Sequence, residues 1–69
     1  MKALARALVA ELRAQPRHFA ELVTAHHDVA WRDFLYAWGE VRAADLLQRD
    51  DHGRYLVPAD VAAAGPNPT

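Results

Sequence analysis

The chain has 69 residues, of which 52% are hydrophobic and 25% charged, so its length fits one small domain and excludes two separate cores. It has no cysteine, which excludes disulfides and thiolate zinc sites as sources of stability. Eight basic and nine acidic residues give a formal net charge of −1, which argues against a ligand held by a general excess of positive charge.

The first predicted helix covers about residues 2–15. Leu4, Leu8 and Leu12 recur every four residues, which places them on one side of a helix. Pro16 ends this helix, because proline disfavours helical geometry in the residue before it. We expect the leucine row to pack against the third helix of its own chain. A dimer face formed by the same three leucines is the alternative.

The second predicted helix is short and covers about residues 19–27. Phe19, Leu22 and Val23 follow the i, i+3, i+4 spacing of a helix with one apolar side. Residues 17–19 leave two interpretations open. They either begin this helix or form a brief extended segment before it, because a pattern of three residues does not separate the two.

The third predicted helix covers about residues 29–45, with Asp28 as its N-cap because a carboxylate accepts the free backbone N–H groups of a first turn. Trp31 and Trp38 are seven residues apart and share one face, which is the predicted anchor of the core. Gly39 costs roughly 1 kcal/mol relative to alanine inside a helix, so we expect a close helix crossing there.

A β-hairpin is predicted over residues 46–57, where two short runs, 46–49 and 54–57, flank a turn cluster that ends in Gly53. Pro58 stops the second strand, and proline and glycine punctuate residues 58–69, which read as a flexible tail. The predicted core joins this hairpin to the helices. Its members are Leu4, Leu8, Leu12, Phe19, Leu22, Val23, Trp31, Phe34 or Leu35, Trp38, Val41, Leu46, Tyr55 and Val57.

Residues 31–57 combine a long helix that ends in small residues, the apolar pair Leu46-Leu47, a charged residue, an acidic-glycine turn and an aromatic return strand. After two earlier helices, this arrangement resembles the winged helix-turn-helix superfamily over residues 3–57. The resemblance implies an α+β, mainly α fold: a three-helix winged-helix domain over residues 1–57 with a two-stranded β-hairpin wing. It is a resemblance to a superfamily pattern, which speaks for fold more than for function.

In DNA-binding members of this superfamily the third helix enters the major groove and the wing contacts the backbone or the minor groove. The resemblance therefore places candidate contacts to DNA or to a protein on the third helix and the wing. These candidates are Arg32, Asp33, Tyr36, Arg49, His52 and Arg54. Glu40 and Ala43 occupy further outward positions of the helix. The chain departs from the pattern at Asp45, where many members have glycine before the wing.

The charge of the half that would meet DNA favours a protein partner. Residues 28–54 carry four basic and six acidic side chains, whereas residues 1–27 carry four basic and two acidic ones. Neutralisation of phosphates supplies most of the non-specific affinity for DNA, so acidic residues on the third helix lower the affinity expected for DNA. Tyr36 and Arg32 are residue types favoured at protein interfaces. We therefore expect a regulatory or accessory protein that binds a protein partner or forms a homodimer, with DNA binding as the alternative.

Enzymatic chemistry finds no support in the residue inventory. The chain has no serine or cysteine nucleophile, its threonines are Thr24 and Thr69, and its three glycines are isolated rather than grouped in a phosphate loop. The histidines lack the spacing of a metal site; they are His18, His26, His27 and His52. We expect no enzyme activity, no cofactor, no metal and no small-molecule substrate.

Membrane association is not expected either. No segment approaches the roughly 18 consecutive apolar residues of a transmembrane helix. Arg6 and Glu11 interrupt the apolar run near the first residue, so that run predicts an amphipathic helix rather than a signal peptide. These features, with the lack of cysteine, favour a cytoplasmic protein.

Overall fold

A computed structural model describes residues 1–58 as three helices followed by a two-stranded antiparallel sheet, which confirms the α+β, mainly α class. The elements in chain order are α1 (Ala3–Ala14), α2 (Phe19–Ala25), α3 (Trp31–Ala43), β1 (Gln48–Arg49) and β2 (Tyr55–Leu56). Each helix is somewhat shorter than its sequence pattern. Apart from Pro58, the predicted tail at residues 58–69 lies outside the described residues.

The core lies between α1 and α3, with α2 and the end of β2 packed against them. Its buried side chains are Ala5, Leu8, Val9, Leu12, Leu22, Phe34, Ala37, Trp38, Val41 and Val57. The leucine row therefore packs in the core of its own chain, as expected. The alternative dimer face of Leu4, Leu8 and Leu12 is wrong, because Leu8 and Leu12 are enclosed and Leu4 is half-buried against them.

An aromatic cluster joins α2, α3 and β2. The ring of Phe19 packs against Phe34 and Trp38, with ring centroids 5.8 Å and 5.1 Å apart. On the other side, Trp38 meets Tyr55 edge to face, with centroids 5.1 Å apart and planes at 82°. Aromatic pairs in such arrangements contribute about 0.5–1.5 kcal/mol each beyond the area that they bury. The cluster thus fixes the position of the hairpin relative to the helices.

The segment between α1 and α2 is extended at Arg17, which decides between the two interpretations of residues 17–19. The N–H of Arg17 donates to the carbonyl of Tyr55 at 2.9 Å, and the N–H of Tyr55 donates back at 2.7 Å. Tyr55 also pairs with Arg49 on its other side. The N–H of Val57 donates to the carbonyl of Leu12 at 3.3 Å. Besides its pairing with β1, the segment Tyr55–Val57 is therefore bound through its backbone to Arg17 and to Leu12 of α1.

Asp28 is not the N-cap of α3, contrary to the sequence prediction. The chain leaves α2 through a turn in which the N–H of Val29 donates to the carbonyl of His26 at 3.0 Å, and Asp28 lies inside that turn. The helix begins only at Trp31, and its N-cap is Ala30, which makes no side-chain capping bond. Residues 29 and 30, which were expected to form the start of the helix, therefore lie before it.

Two predictions about α3 itself are also wrong. Trp31 was expected in the core but is 55% exposed, because it lies at the first helical position, outside the buried cluster. Between the two alternatives for the core, Phe34 is buried and Leu35 is 43% exposed. Within residues 1–58, Gly39 does not mark a close helix crossing, since a Cβ atom added there would meet nothing within 4 Å. No contact within the described chain explains this glycine.

The helix α3 ends at a residue with a left-handed backbone conformation, Asp45. The N–H of Ala44 donates to the carbonyl of Glu40, and that of Asp45 donates to Arg42, both at 3.0 Å. Asp45 has a φ of +59°, the left-handed conformation in which many helices end. Aspartate tolerates this conformation better than most residues, though less well than glycine. Asp45 therefore occupies a position whose backbone conformation favours glycine.

Candidate functional site

The outward surface of α3 carries large apolar side chains, which is unusual for the exposed side of a helix. The buried positions of the helix are Phe34, Ala37, Trp38 and Val41. At about 100° per residue, the opposite side carries Arg32, Tyr36, Gly39 and Ala43. Trp31 and Leu35 lie along one edge of this surface, and Glu40 lies along the other. Tyr36 is 70% exposed, so three large apolar side chains of one short helix face solvent.

The first edge, which we call the Trp31 edge, consists of Trp31 and Leu35. The indole of Trp31 stacks on the buried ring of Phe34, with centroids 5.8 Å apart and planes only 9° apart. One side of the indole is therefore covered, and the other is open. A shallow groove between α2 and α3 adjoins it, lined by Val23, Thr24, His26, His27, Val29, Trp31 and Phe34. This edge can take apolar side chains from another molecule.

A row of three side chains spaced four residues apart, which we call the Tyr36 row, runs from the middle of the outward surface to its second edge and consists of Arg32, Tyr36 and Glu40. The start of α1 lies beside it. The ammonium of Lys2 is 5.7 Å from the centroid of the Tyr36 ring, and the backbone N–H of Lys2 donates to Oε1 of Glu40 at 3.3 Å. A groove runs between the two helices, lined by Lys2, Leu4, Arg32, Asp33, Tyr36, Ala37 and Glu40.

The hairpin turn is organised by the carboxylate of Asp50. Its oxygens accept hydrogen bonds from the backbone N–H groups of His52 and Arg54, both at 2.9 Å, and from Nε of Arg54 at 2.8 Å. Burial raises the pKa of this carboxyl, but the backbone and side-chain hydrogen bonds outweigh it and hold the pKa below its ordinary value. The guanidinium of Arg54 is thus engaged within the turn, and that of Arg49 lies 5.2 Å from the Tyr55 ring centroid.

The structure places the predicted contact residues in two separate groups. Arg32, Asp33 and Tyr36 lie together on α3, whereas the hairpin carries Arg49, His52 and Arg54. A recess at the end of α3 adjoins the hairpin, and Arg49 is its one predicted contact residue. This recess is lined by Arg42, Asp45, Leu47, Gln48, Arg49 and Tyr55. Arg42 belongs to that recess and was not among the residues predicted from sequence.

Trp31 and Leu35 are the surface residues that sequence reasoning missed. A spacing of seven residues returns a helix to nearly the same direction, so Trp31 and Trp38 share one pattern although one is exposed and the other buried. The distinction arises from the end of the helix, which periodicity does not report. No signal in the sequence separates the two tryptophans.

The histidines do not gather into a metal site in the described part of the chain. Within residues 1–58, no three side chains of histidine, aspartate or glutamate lie close enough to hold a metal ion. His26 contacts Glu11, and the exposed ring of His27 lies 3.2 Å from the carbonyl of Thr24. Over the same residues, no helix has the length and apolar character to cross a membrane.

Comparisons with protein-family models, with curated proteins and with solved structures find no match to this chain. The resemblance to the winged helix-turn-helix superfamily therefore stays a prediction from the sequence.

Proposed function

We propose that this domain is a non-enzymatic winged-helix binding module that acts as a regulatory or accessory protein by contacting another protein through the Trp31 edge. The observation that carries the proposal is the exposure of Trp31 and Leu35 side by side on α3. Aromatic anchors dominate the binding energy of many protein interfaces. The winged-helix part is supported by the order of the elements and by the hairpin that directly follows α3.

The geometry of Trp31 suits an interface anchor. Its ring stacks on the buried ring of Phe34, a contact that favours one orientation of the side chain. A pre-ordered aromatic side chain loses little conformational freedom on binding, which lowers the cost of association. The adjoining groove between α2 and α3 offers a place for an apolar side chain of the partner. The expected partner therefore presents one or two apolar side chains to this edge.

The charges near α3 favour a protein over DNA. Arg32 is accompanied by Asp33 and Glu40, which oppose the approach of phosphates. Nε of Arg54 pairs with the carboxylate of Asp50, which offsets part of the positive charge that the hairpin sequence predicts. An apolar edge gains by excluding water, and it does not need an excess of basic groups.

The proposal is tested by comparing two immobilised proteins, the wild type and the variant W31A/L35A, as baits for proteins of the source cell. The wild type is expected to retain one protein in a fixed ratio. That protein, once purified, is expected to bind W31A/L35A at least about 10-fold more weakly than the wild type, because the variant lacks the interface anchor. The variant R13A removes an exposed side chain from α1 and serves as the matched control. Equal retention of all proteins by wild type and W31A/L35A would refute the proposal.

DNA binding is the second candidate, favoured by the recess between α3 and the hairpin. Arg42 and Arg49 both line this recess, which places two guanidinium groups where the third helix meets the hairpin. Duplex DNA binding that weakens steeply with salt, and that the variant R42A/R49A weakens further, would favour this function. Absence of DNA binding even at low salt would remove it.

A further inference from the structure

We infer that the Tyr36 row binds a second copy of this chain, with the two α3 helices antiparallel about a two-fold axis at Tyr36. The inference shares with the proposed function only the premise that the domain works through protein contacts. It uses Arg32, Tyr36 and Glu40, whereas the proposed partner uses Trp31 and Leu35. The two surfaces are neighbours on α3 but share no residue, so they can be tested separately.

The spacing of charges along the row makes it complementary to itself. Arg32 and Glu40 lie four residues to either side of Tyr36, which a rise of 1.5 Å per residue converts to about 6 Å in each direction. A two-fold axis through Tyr36 reverses the order, so Arg32 faces the partner's Glu40 and Glu40 faces the partner's Arg32. A parallel pair would instead bring like charges together. The row therefore specifies both the partner and its direction.

The charged groups of the row are available for such pairs. Arg32 is exposed, and within residues 1–58 its guanidinium makes no hydrogen bond or ion pair. Glu40 accepts the backbone N–H of Lys2 with one oxygen, Oε1, and its other oxygen has no hydrogen bond within the same residues. The groove beside the row carries two basic and two acidic side chains, Lys2 and Arg32 against Asp33 and Glu40. A balanced surface of this kind suits a second copy better than a strongly charged partner.

The shape of the surface allows two helices to approach closely. Gly39 lies next to Tyr36 on the outward side of α3, and no atom of residues 1–58 fills the space above its backbone. An interior glycine weakens a helix relative to alanine, and no contact within the described chain compensates for it. In the antiparallel pair, the partner's Tyr36 ring lies over Gly39. Leu4 and Ala37 line the groove on the other side of Tyr36 and offer it an apolar floor.

The decisive experiment is sedimentation of the full chain between about 10 µM and 1 mM, the range in which a small interface dimerises. The wild type is expected to dimerise in this range. The variants R32E and E40R each place like charges across the axis, so each is expected to dimerise at least about 10-fold more weakly. Their equimolar mixture restores both complementary pairs and is expected to dimerise, as is the double variant R32E/E40R.

Two further variants separate this surface from others. The variant G39L fills the open space and is expected to weaken the dimer while raising the melting temperature of the monomer. The variant W31A/L35A is expected to leave the dimer unchanged. Circular dichroism checks that every variant keeps its helices. The inference is overturned by a wild type that stays monomeric up to 1 mM, by charge reversals that leave the dimer intact, or by a mixture that fails to restore it. If the chain dimerises through the Tyr36 row but no protein binds the Trp31 edge, the inference about the dimer stands and the proposed function is refuted.

Discussion

Glu11 on α1 and His26 at the end of α2 meet through Oε2 and Nε2, which are 2.5 Å apart. Both side chains are partly buried, and the ring of His26 also lies against Phe34, with centroids 6.1 Å apart. The N–H of His26 donates to the carbonyl of Leu22 at 3.1 Å, so the backbone of this histidine still belongs to the helix end. One polar contact thus links the first two helices beside an aromatic side chain of the third.

We expect this contact to stabilise the fold by more than an exposed ion pair does. A cycle of E11A, H26A and the double variant is expected to give a coupling energy of about 0.5–1.5 kcal/mol in chemical unfolding. The neighbouring variant H27A removes an exposed ring and is expected to change the unfolding free energy by less than about 0.5 kcal/mol. Strictly additive effects of E11A and H26A would show that the contact contributes nothing.

Two glycines are expected to respond oppositely to alanine. Gly39 lies inside α3 with open space above it, so G39A is expected to raise the unfolding free energy by about 0.5–1 kcal/mol. Gly53 has a φ of +78°, a backbone conformation that residues with a side chain rarely adopt. G53A is therefore expected to lower the unfolding free energy by about 1 kcal/mol. Thermal unfolding at low micromolar concentration keeps any dimer out of the measurement. A loss of stability in G39A would mean that the helix packs against something at that position.

The end of α3 predicts a stabilising substitution at Asp45. Because its φ of +59° costs less for glycine, D45G is expected to raise the unfolding free energy by about 0.5–1 kcal/mol. The adjacent Ala44 has an ordinary helical φ of −76°, so A44G gains nothing and is expected to lower the free energy by a similar amount. Chemical unfolding of both variants compares the same substitution type one residue apart. Equal destabilisation by both would contradict the argument.

The sequence predicted those parts of the fold that repeat along a helix. The spacing of Leu4, Leu8 and Leu12 placed α1 against the core, and Phe34, Trp38 and Val41 lie on the buried side of α3. Periodicity succeeds there because each side chain keeps its direction through several turns. It failed at the first turn, where Trp31 has the right direction but lies outside the buried cluster. The Trp31 edge was therefore not predicted from the sequence, because Trp31 was assigned to the core.

Contacts between distant segments were beyond the reach of sequence reasoning. The backbone bridge between Arg17 and Tyr55 joins residues that are far apart in the chain. The sequence next to Arg17 does not indicate that Tyr55 is its partner. The N-cap assigned to Asp28 failed for a local reason instead, since a turn after α2 delays the start of the next helix to Trp31. Charge counts treated Arg54 as free, whereas Asp50 engages it. Candidate site residues can thus be chosen by type in a sequence, but their availability depends on the fold.

The carboxylate of Asp50 predicts how stability changes in acid. Its hydrogen bonds hold the pKa in the folded state below the ordinary value, so the unfolded chain binds a proton more readily. The stabilisation is therefore complete above the ordinary pKa of an aspartate. It is lost as the pH falls through the lowered pKa of the folded state. Unfolding by denaturant, followed from neutral pH into acid, is expected to show this loss in the wild type.

The variant D50N separates this carboxylate from the others. It is expected to be less stable than the wild type at neutral pH, because an amide accepts fewer hydrogen bonds and offers Arg54 no charge. The difference is expected to shrink as acid protonates Asp50 in the wild type. The variant D51N alters the neighbouring exposed carboxylate and is expected to change the unfolding free energy by less than about 0.5 kcal/mol. A constant gap between wild type and D50N from neutral pH into acid would show that the turn does not depend on this charge.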